Sequence, residues 1–347
     1  LISQKIQTIH RTIISSPSPS FLIILFRGGL YLLSLLYLFF SSFSSFLYKC
    51  KIRKIKKLPK PVISIGNISA GGTGKTPLCI ELIQLCLDIK KKPALVSRGY
   101  GNDESLVYQN RFPNISMAFS ADRFKTCSSL LEVHPEIDLF ILDDAFQHQK
   151  LFRDLNILLI NASNPFGYNY CLPRGYLRES MKAMNRADLV ILTHADEVMK
   201  SQKEEIKNKI NMYVKENTQI IEATHEPSHF LSPEGKCISF AEIAALNFKN
   251  TGVLCGIAHP DGFLKTLKKC NITPTIQYFY SDHHQYLTSD FQKLVMEKEN
   301  FNCLITTEKD IVKIPNEMQI ILNIYTLRMQ LKLSAPDQLT QFIKEIV

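Results

Sequence analysis

"SIGNISAGGTGKTPLCIEL", residues 64–82, is the stretch on which the fold turns. The β-branched run leading into it, "KPVISIGN", predicts a buried strand. The segment after it, "TPLCIELIQLCLDIKKK", has the apolar spacing of a helix with Pro77 in its first turn. Between them lies Ser69-Ala70-Gly71-Gly72-Thr73-Gly74-Lys75-Thr76. Strand, glycine loop and helix in that order are the context of a phosphate-binding loop. Gly71, Gly72 and Gly74 let backbone N–H groups curl around phosphate oxygens, and the helix N-terminus adds positive potential. Lys75 would reach the β- and γ-phosphates, and the Thr76 hydroxyl would ligate Mg²⁺. The strict pattern asks for glycine at position 69, where this chain has serine. A glycine-rich turn with a chance Lys-Thr is the competing reading, and the flanks argue against it.

Further strands follow. "PALVSRGYG" ends in Arg98-Gly99-Tyr100-Gly101, and Asn102-Asp103-Glu104 come next. Acidic residues just after a strand lie at the carboxyl edge, where doubly wound sheets carry their sites. A solvated turn accounts for Asp103 and Glu104 equally well. "IDLFILDDAFQH" is an apolar run ending in Asp143 and Asp144, the form of a Walker B strand, and one of the two would hold Mg²⁺ directly or through water. A helix N-cap explains one aspartate there, but less readily two followed by Gln147 and His148. "RDLNILLINA" and "ADLVILTHADE" supply two more strands. Thr193 to Asp196 lack the Asn and Lys of a guanine-reading turn.

The formal net charge is +9, but it is local. Residues 1–60 hold ten Lys or Arg and no Asp or Glu, whereas residues 61–347 hold 31 basic against 32 acidic residues. A basic nucleic-acid-binding domain is therefore not expected. From Leu30 to Tyr48 there are 19 uncharged residues, near the ~20 that span a bilayer core, although five are serines. "KCKIRKIKKLPK" follows with seven basic residues in twelve, suited to an anionic cytoplasmic lipid surface. A cleaved signal peptide would carry its charge ahead of the apolar run. A retained membrane anchor, spanning or interfacial, is the expectation. Nine scattered cysteines without a C-x-x-C suggest free thiols in a reducing compartment.

"VMKSQKEEIKNKINMYVKEN" predicts a solvated amphipathic helix. "IIEATHEPSHFLSPEGKCISF" holds two strand-like runs around Pro-Glu-Gly that could bridge domains. From about 251 strands and helices alternate again, which predicts a second α/β unit. The expected architecture is α/β: a P-loop kinase-like doubly wound parallel sheet with an N-terminal membrane helix and a second, smaller α/β domain. Its boundaries are expected at 1–60 for the helix and polybasic flank, 61–230 for the nucleotide-binding domain and 231–347 for the domain closing over it.

"GNISAGGTGKTP", "SRGYG…DE", "LDDAFQH", "LPRGYLRE", "SDHHQY" and "TTEKD", in this order behind an apolar N-terminal segment, resemble the tetraacyldisaccharide 4′-kinases of lipid A biosynthesis. The resemblance runs from about residue 62 to 313. It implies ATP- and Mg²⁺-dependent phosphorylation of the 4′-hydroxyl of a tetraacylated glucosamine disaccharide 1-phosphate, giving lipid IVA at the cytoplasmic face of a bacterial inner membrane. It places the catalytic aspartate on Asp103, with Glu104 beside it as a candidate metal ligand, and the assisting histidine on His283. "PRGYLRE" has Arg-Gly-Tyr where relatives tend to have Ala-Gly-Pro. Arg178 and Glu179 match the pattern, and Arg178 or Arg123 would meet the substrate's 1-phosphate, a surface salt bridge being the alternative for each. His148 would line the acceptor pocket or serve as a hydrogen-bonded structural histidine. Glu308 to Asp310 would cap a helix or close on the nucleotide. The implied partners are the lipid disaccharide and membrane lipids, with no nucleic acid and no obligate protein. The rival functions are a membrane-tethered P-loop NTPase and a kinase acting on another lipid.

Overall fold

The structure is a computed structural model that describes residues 10, 12–14, 16, 19–99, 102–245, 250–258 and 260–347. Tyr100, Gly101 and His259 lie outside the described residues. In chain order the elements begin with α1 (Phe21–Lys49), β1 (Val62–Asn67), α2 (Lys75–Asp88), β2 (Pro93–Ser97), α3 (Asn102–Arg111), β3 (Ser116–Phe119), α4 (Arg123–Val133) and β4 (Leu139–Leu142). Then come β5 (Leu155–Asn161), β6 (Leu189–Thr193), α5 (Lys200–Asn211), β7 (Gln219–Leu231), β8 (Cys237–Ile238), α6 (Phe240–Ala245) and β9 (Thr251–Cys255). The last are α7 (Pro260–Lys269), β10 (Ile276–Phe279), α8 (Thr288–Met296), β11 (Cys303–Thr307), α9 (Glu308–Ile311), α10 (Asn316–Ile321), β12 (Ile324–Leu333) and α11 (Pro336–Ile346).

Two compact units emerge, and neither is continuous in sequence. The first comprises Leu1–Gly99, Asn114–His225 and Leu331–Val347, and the second Tyr100–Pro113 and Glu226–Gln330. This differs from the contiguous boundaries expected at 60 and 230. Helix α3 folds with the second unit because its end is clasped there. Arg111 makes two bonds of 2.8 and 2.7 Å to Glu308, and Asn110 Oδ1 accepts from Arg328 at 2.9 Å. Helix α11 returns to the first unit, burying Leu339 and Ile343, and Lys91 Nζ donates to the Val347 carbonyl at 3.2 Å.

Within the first unit the strands run β7-β6-β5-β1-β4-β2-β3, all parallel. Every residue of β1, β4 and β6 is buried, which is why these strands read as continuous apolar runs rather than alternating ones. β1 lies between β4 and β5, where the strand order reverses, and such a switch point opens a crevice at the carboxyl edge. In the second unit β10-β9-β11-β12 are parallel, with β8 antiparallel to the end of β7.

Helix α1 runs unbroken through Gly28 and Gly29 and is long and apolar enough to cross a membrane. Its polarity is the reverse of a water-soluble surface helix. Ser34 is buried against the first unit, donating to the Cys171 carbonyl at 2.7 Å and accepting from Arg174 N at 3.0 Å. Tyr37 donates to the Arg178 carbonyl and Gln149 to Ser45 Oγ, while Leu38 packs on the core. Phe21, Leu22, Leu25, Leu32, Leu36, Phe39 and Phe40 face outward. Ser34 and Ser45 therefore bond to the body of the first unit, while Ser41 bonds its own helix at Leu38 and Ser44 accepts from Arg53. Serines that looked like defects in an apolar span form its docking face.

Candidate functional site

The glycine loop leaves β1 as the sequence suggests, and its conformation needs the glycines it has. Gly71 has φ of 120° and Gly74, the cap of α2, has φ of 80°, both in the region that L side chains avoid. A Cβ on Gly74 would also stand 3.0 Å from the His225 ring. The loop is braced from several sides. Asn67 Nδ2 donates to Thr73 Oγ1, Asn161 Nδ2 to the Gly72 carbonyl and Thr193 Oγ1 to the Thr73 carbonyl. Its upper limb pairs with a second loop, with Ala70 N donating to the Tyr176 carbonyl and Arg178 N to the Ile68 carbonyl, each at 2.7 Å. Ser69 sits in an antiparallel bridge with Leu177. Position 69 is therefore extended backbone, which any residue adopts, and that explains how serine replaces glycine.

Because β4 is the parallel neighbour of β1, the turn after Leu142 lies beside the loop. Residues 143–149 form turns and no helix, so neither aspartate is an N-cap. Asp144 takes φ of 47° and turns its carboxylate towards Lys75, 3.6 Å away, and Arg178, at 2.9 and 3.1 Å. Burial pushes this carboxyl up, but Lys75, Arg178 and Arg123 outweigh it and hold it below the usual carboxylate range. Asp143 is buried, with Oδ2 3.4 Å from Ser97 Oγ. No cluster of three His, Cys, Asp or Glu occurs among the described residues. Mg²⁺ needs only one or two protein oxygens and completes its shell with phosphate and water. Lys75, Thr76, Asp143 and Asp144 are thus a donor set of the right kind for a magnesium–triphosphate.

The remaining candidates separate. Arg123 is buried and donates through Nη2 to the carbonyls of Asp143 and Asp144 at 2.9 and 2.8 Å. It holds the turn that presents the aspartates, and is not a surface salt bridge. Glu179 is buried in a two-point pair with Arg186 at 2.8 Å, whose guanidinium lies 4.7 Å above the Phe146 ring. His148 N donates to the Ala145 carbonyl, and burial, with Arg123, Arg153 and Lys150 nearby, lowers its imidazole to about 4.

The second unit holds a different group. Asp103 lies in the first turn of α3, where an acidic side chain is favoured by the helix dipole, and it is buried. His283 Nδ1 stands 2.9 Å from Asp103 Oδ2. His283 has a φ of 57°, a left-handed conformation that costs a non-glycine residue ~1–2 kcal/mol. Lys313 Nζ lies 3.3 Å from the same Oδ2 and 3.2 Å from Asp310 Oδ1. Asp310 accepts from Tyr286 OH at 3.1 Å and from Thr307 Oγ1 at 2.7 Å. Glu104 stands 3.6 Å from Lys309. In the "TTEKD" stretch, Thr307 caps α9 through Asp310 N, and Glu308 is taken up by Arg111 and Arg328.

The model of the tetraacyldisaccharide-1-P 4′-kinase family matches residues 27–105 and 102–347. The chain belongs to the tetraacyldisaccharide 4′-kinase family. It is 31% identical to the tetraacyldisaccharide 4′-kinase of Elusimicrobium minutum (strain Pei191), over 92% of this chain and 91% of that one. To the enzyme of the same name from Flavobacterium psychrophilum it is 32% identical, over 84% and 88%. Among solved structures, an "apo" form of LpxK from Aquifex aeolicus in complex with ATP matches with a TM-score of 0.73 at 29% identity, covering 92% of this chain and 99% of that chain.

Residues that the 4′-kinase motifs did not bring forward are Lys313 and His225, while Tyr286 closes the "SDHHQY" motif without a role of its own. Lys313 follows Asp310 by three positions, the spacing at which side chains meet on one helical face, so a signal was present. His225 carried none, because its role depends on β7 passing beside Gly74.

Proposed function

We propose that this 4′-kinase transfers the γ-phosphoryl group of ATP, as its magnesium complex, to the 4′-hydroxyl of a tetraacylated glucosamine disaccharide 1-phosphate, giving lipid IVA. The observation that carries this reading is the glycine loop ending in Lys75 with the Asp144 carboxylate 3.6 Å away. Ser69 to Pro77 would cradle the triphosphate, and Lys75 would neutralise charge on the transferring group. Thr76 with Asp143 or Asp144 would hold magnesium, with Glu104 a further candidate, and the ion would supply charge neutralisation to the phosphates. The acceptor oxygen bonds to phosphorus as the β–γ bridging bond breaks and ADP departs. Asp103 takes the hydroxyl proton, oriented by His283. Arg178 and His148 are the acceptor-side candidates, while Arg123 and Glu179 would act only through the turn and the Arg186 pair that they hold. Arg178 is the one whose guanidinium is partly exposed and adjacent to the loop, which favours it for the 1-phosphate.

Helix α1 and the basic residues after it would hold the catalyst at the cytoplasmic face of the inner membrane. Each acyl CH₂ drawn into water costs ~0.8 kcal/mol, so the enzyme must go to such a lipid rather than the reverse. Membranes containing the protein, given labelled ATP and tetraacyldisaccharide 1-phosphate, should yield a bis-phosphorylated product. Lys75→Ala and Asp103→Ala should each lower that yield by ~10²-fold or more. Nucleotide hydrolysis that runs equally fast with and without lipid, and no labelled lipid, would mark a tethered NTPase instead.

A further inference from the structure

We propose that Lys313 is a positioning residue for Asp103, holding the carboxylate so that a single oxygen is left for the acceptor hydroxyl. This rests on Asp103 being the proton acceptor. Both polar contacts described for Asp103 fall on one atom: His283 Nδ1 at 2.9 Å and Lys313 Nζ at 3.3 Å both meet Oδ2. Two donors on one oxygen fix the plane and the rotation of the carboxyl group, which directs Oδ1 to the substrate. His283 alone cannot do this, because its ring is half exposed while the Lys313 ammonium is almost wholly buried.

Lys313 is itself held. Its ammonium is shared with Asp310 Oδ1 at 3.2 Å and lies 5.7 Å above the Tyr286 ring. Asp310 is fully buried, with Tyr286 OH on one carboxylate oxygen and Thr307 Oγ1 on the other. The result is a relay of contacts from Thr307 and Tyr286 through Asp310 and Lys313 to Asp103, all inside the second unit. A purely structural ion pair would need one carboxylate. Here a buried ammonium serves two, and one of them is the proposed base.

The test uses full-length protein in mixed detergent–lipid micelles with ATP and tetraacyldisaccharide 1-phosphate. Lys313→Gln should lower kcat by about 10–100-fold with KM for ATP within about threefold, since a misplaced carboxylate costs rate rather than nucleotide binding. Lys313→Arg, which keeps the charge and donors, should recover much of the loss. In an Asp103→Asn background the Lys313→Gln effect on kcat should vanish, because two residues acting as one unit are non-additive. Wild-type kcat for Lys313→Gln, or an equal loss in both backgrounds, would overturn the proposal. If Asp103→Asn itself turns over near normally, the fault lies with the assignment of the base and the positioning role falls with it. Should Lys313→Gln not fold, Asp310→Asn takes its place. It frees one side of the ammonium, and it should show the same kcat loss, KM constancy and non-additivity or else refute the relay.

Discussion

Lys75 and Asp144 face each other across the carboxyl edge of β1 and β4, 3.6 Å from Nζ to Oδ1. The contact sets the first prediction. Asp144 titrates below the usual 3.8 in the folded protein, so its stabilising contribution is complete above that value and is lost as pH falls through the lower, folded one. Asp144→Asn should therefore flatten the acid limb of stability below about pH 4, while turnover falls by ~10²-fold. Urea midpoints followed from pH 6 down to about pH 3, alongside lipid phosphorylation, check both. An unaltered acid limb would show that the cations do not hold the carboxylate as described.

Arg178 and Glu179 are adjacent in sequence but should fail differently. Glu179→Ala strands Arg186 in a buried pair, a loss of ~3–5 kcal/mol of stability, and any fall in activity should follow the unfolded fraction. Arg178→Ala removes a partly exposed partner of Asp144 and should cost little stability while turnover drops. Thermal unfolding and steady-state kinetics on both variants distinguish the two. Equal thermal shifts would contradict the assignment.

A Cβ placed on Gly66 would fall 2.7 Å from both the Cβ and the backbone N of buried Phe146. Backbone cannot move aside as a side-chain tip can, so Gly66→Ala should destabilise by ~1–3 kcal/mol or more. Because β1 also aims the glycine loop, ATP affinity should weaken in the same variant. Calorimetry with nucleotide measures both, and a wild-type melting point would refute the close approach.

His148 and His225 should make the protein acid-sensitive. Burial first, then Arg123, Arg153 and Lys150 for His148 and His194 for His225, lowers both imidazoles from the usual 6.5 to about 4. The unfolded chain takes up protons below 6.5 that the folded one refuses until about 4, so stability is complete above 6.5 and drains away as pH falls towards 4. The double variant His148→Gln/His225→Gln should lose less stability over that window than the wild type. Denaturant midpoints between these limits decide it.

What the sequence showed was whatever has a local cause. The glycine loop, the buried strands of the first sheet and the β/α alternation from 251 are set by periodicity and by conformations that few residues tolerate. The Asp103–His283 contact joins residues 180 positions apart, and it was legible only through resemblance. Composition hid the partner of α3 altogether. Nothing in "NDESLVYQNR" says that Arg111 will find Glu308 some 197 residues later, so the sequence alone leaves the segment within the nucleotide-binding domain expected at 61–230. The serines of α1 misled for a related reason. Hydropathy treats a hydroxyl as a cost, whereas Ser34 has a donor and an acceptor waiting in the loop at Cys171 and Arg174.

The interleaving of the two units reaches beyond chemistry to how the protein can be cut. The backbone passes between them at 99–100, 113–114, 225–226 and 330–331, so no single scission frees either one intact. A fragment beginning at 226 would lack Asp103, and one ending at 225 would lack the terminal helix. A cut at any one of these crossings therefore leaves both products with an incomplete unit.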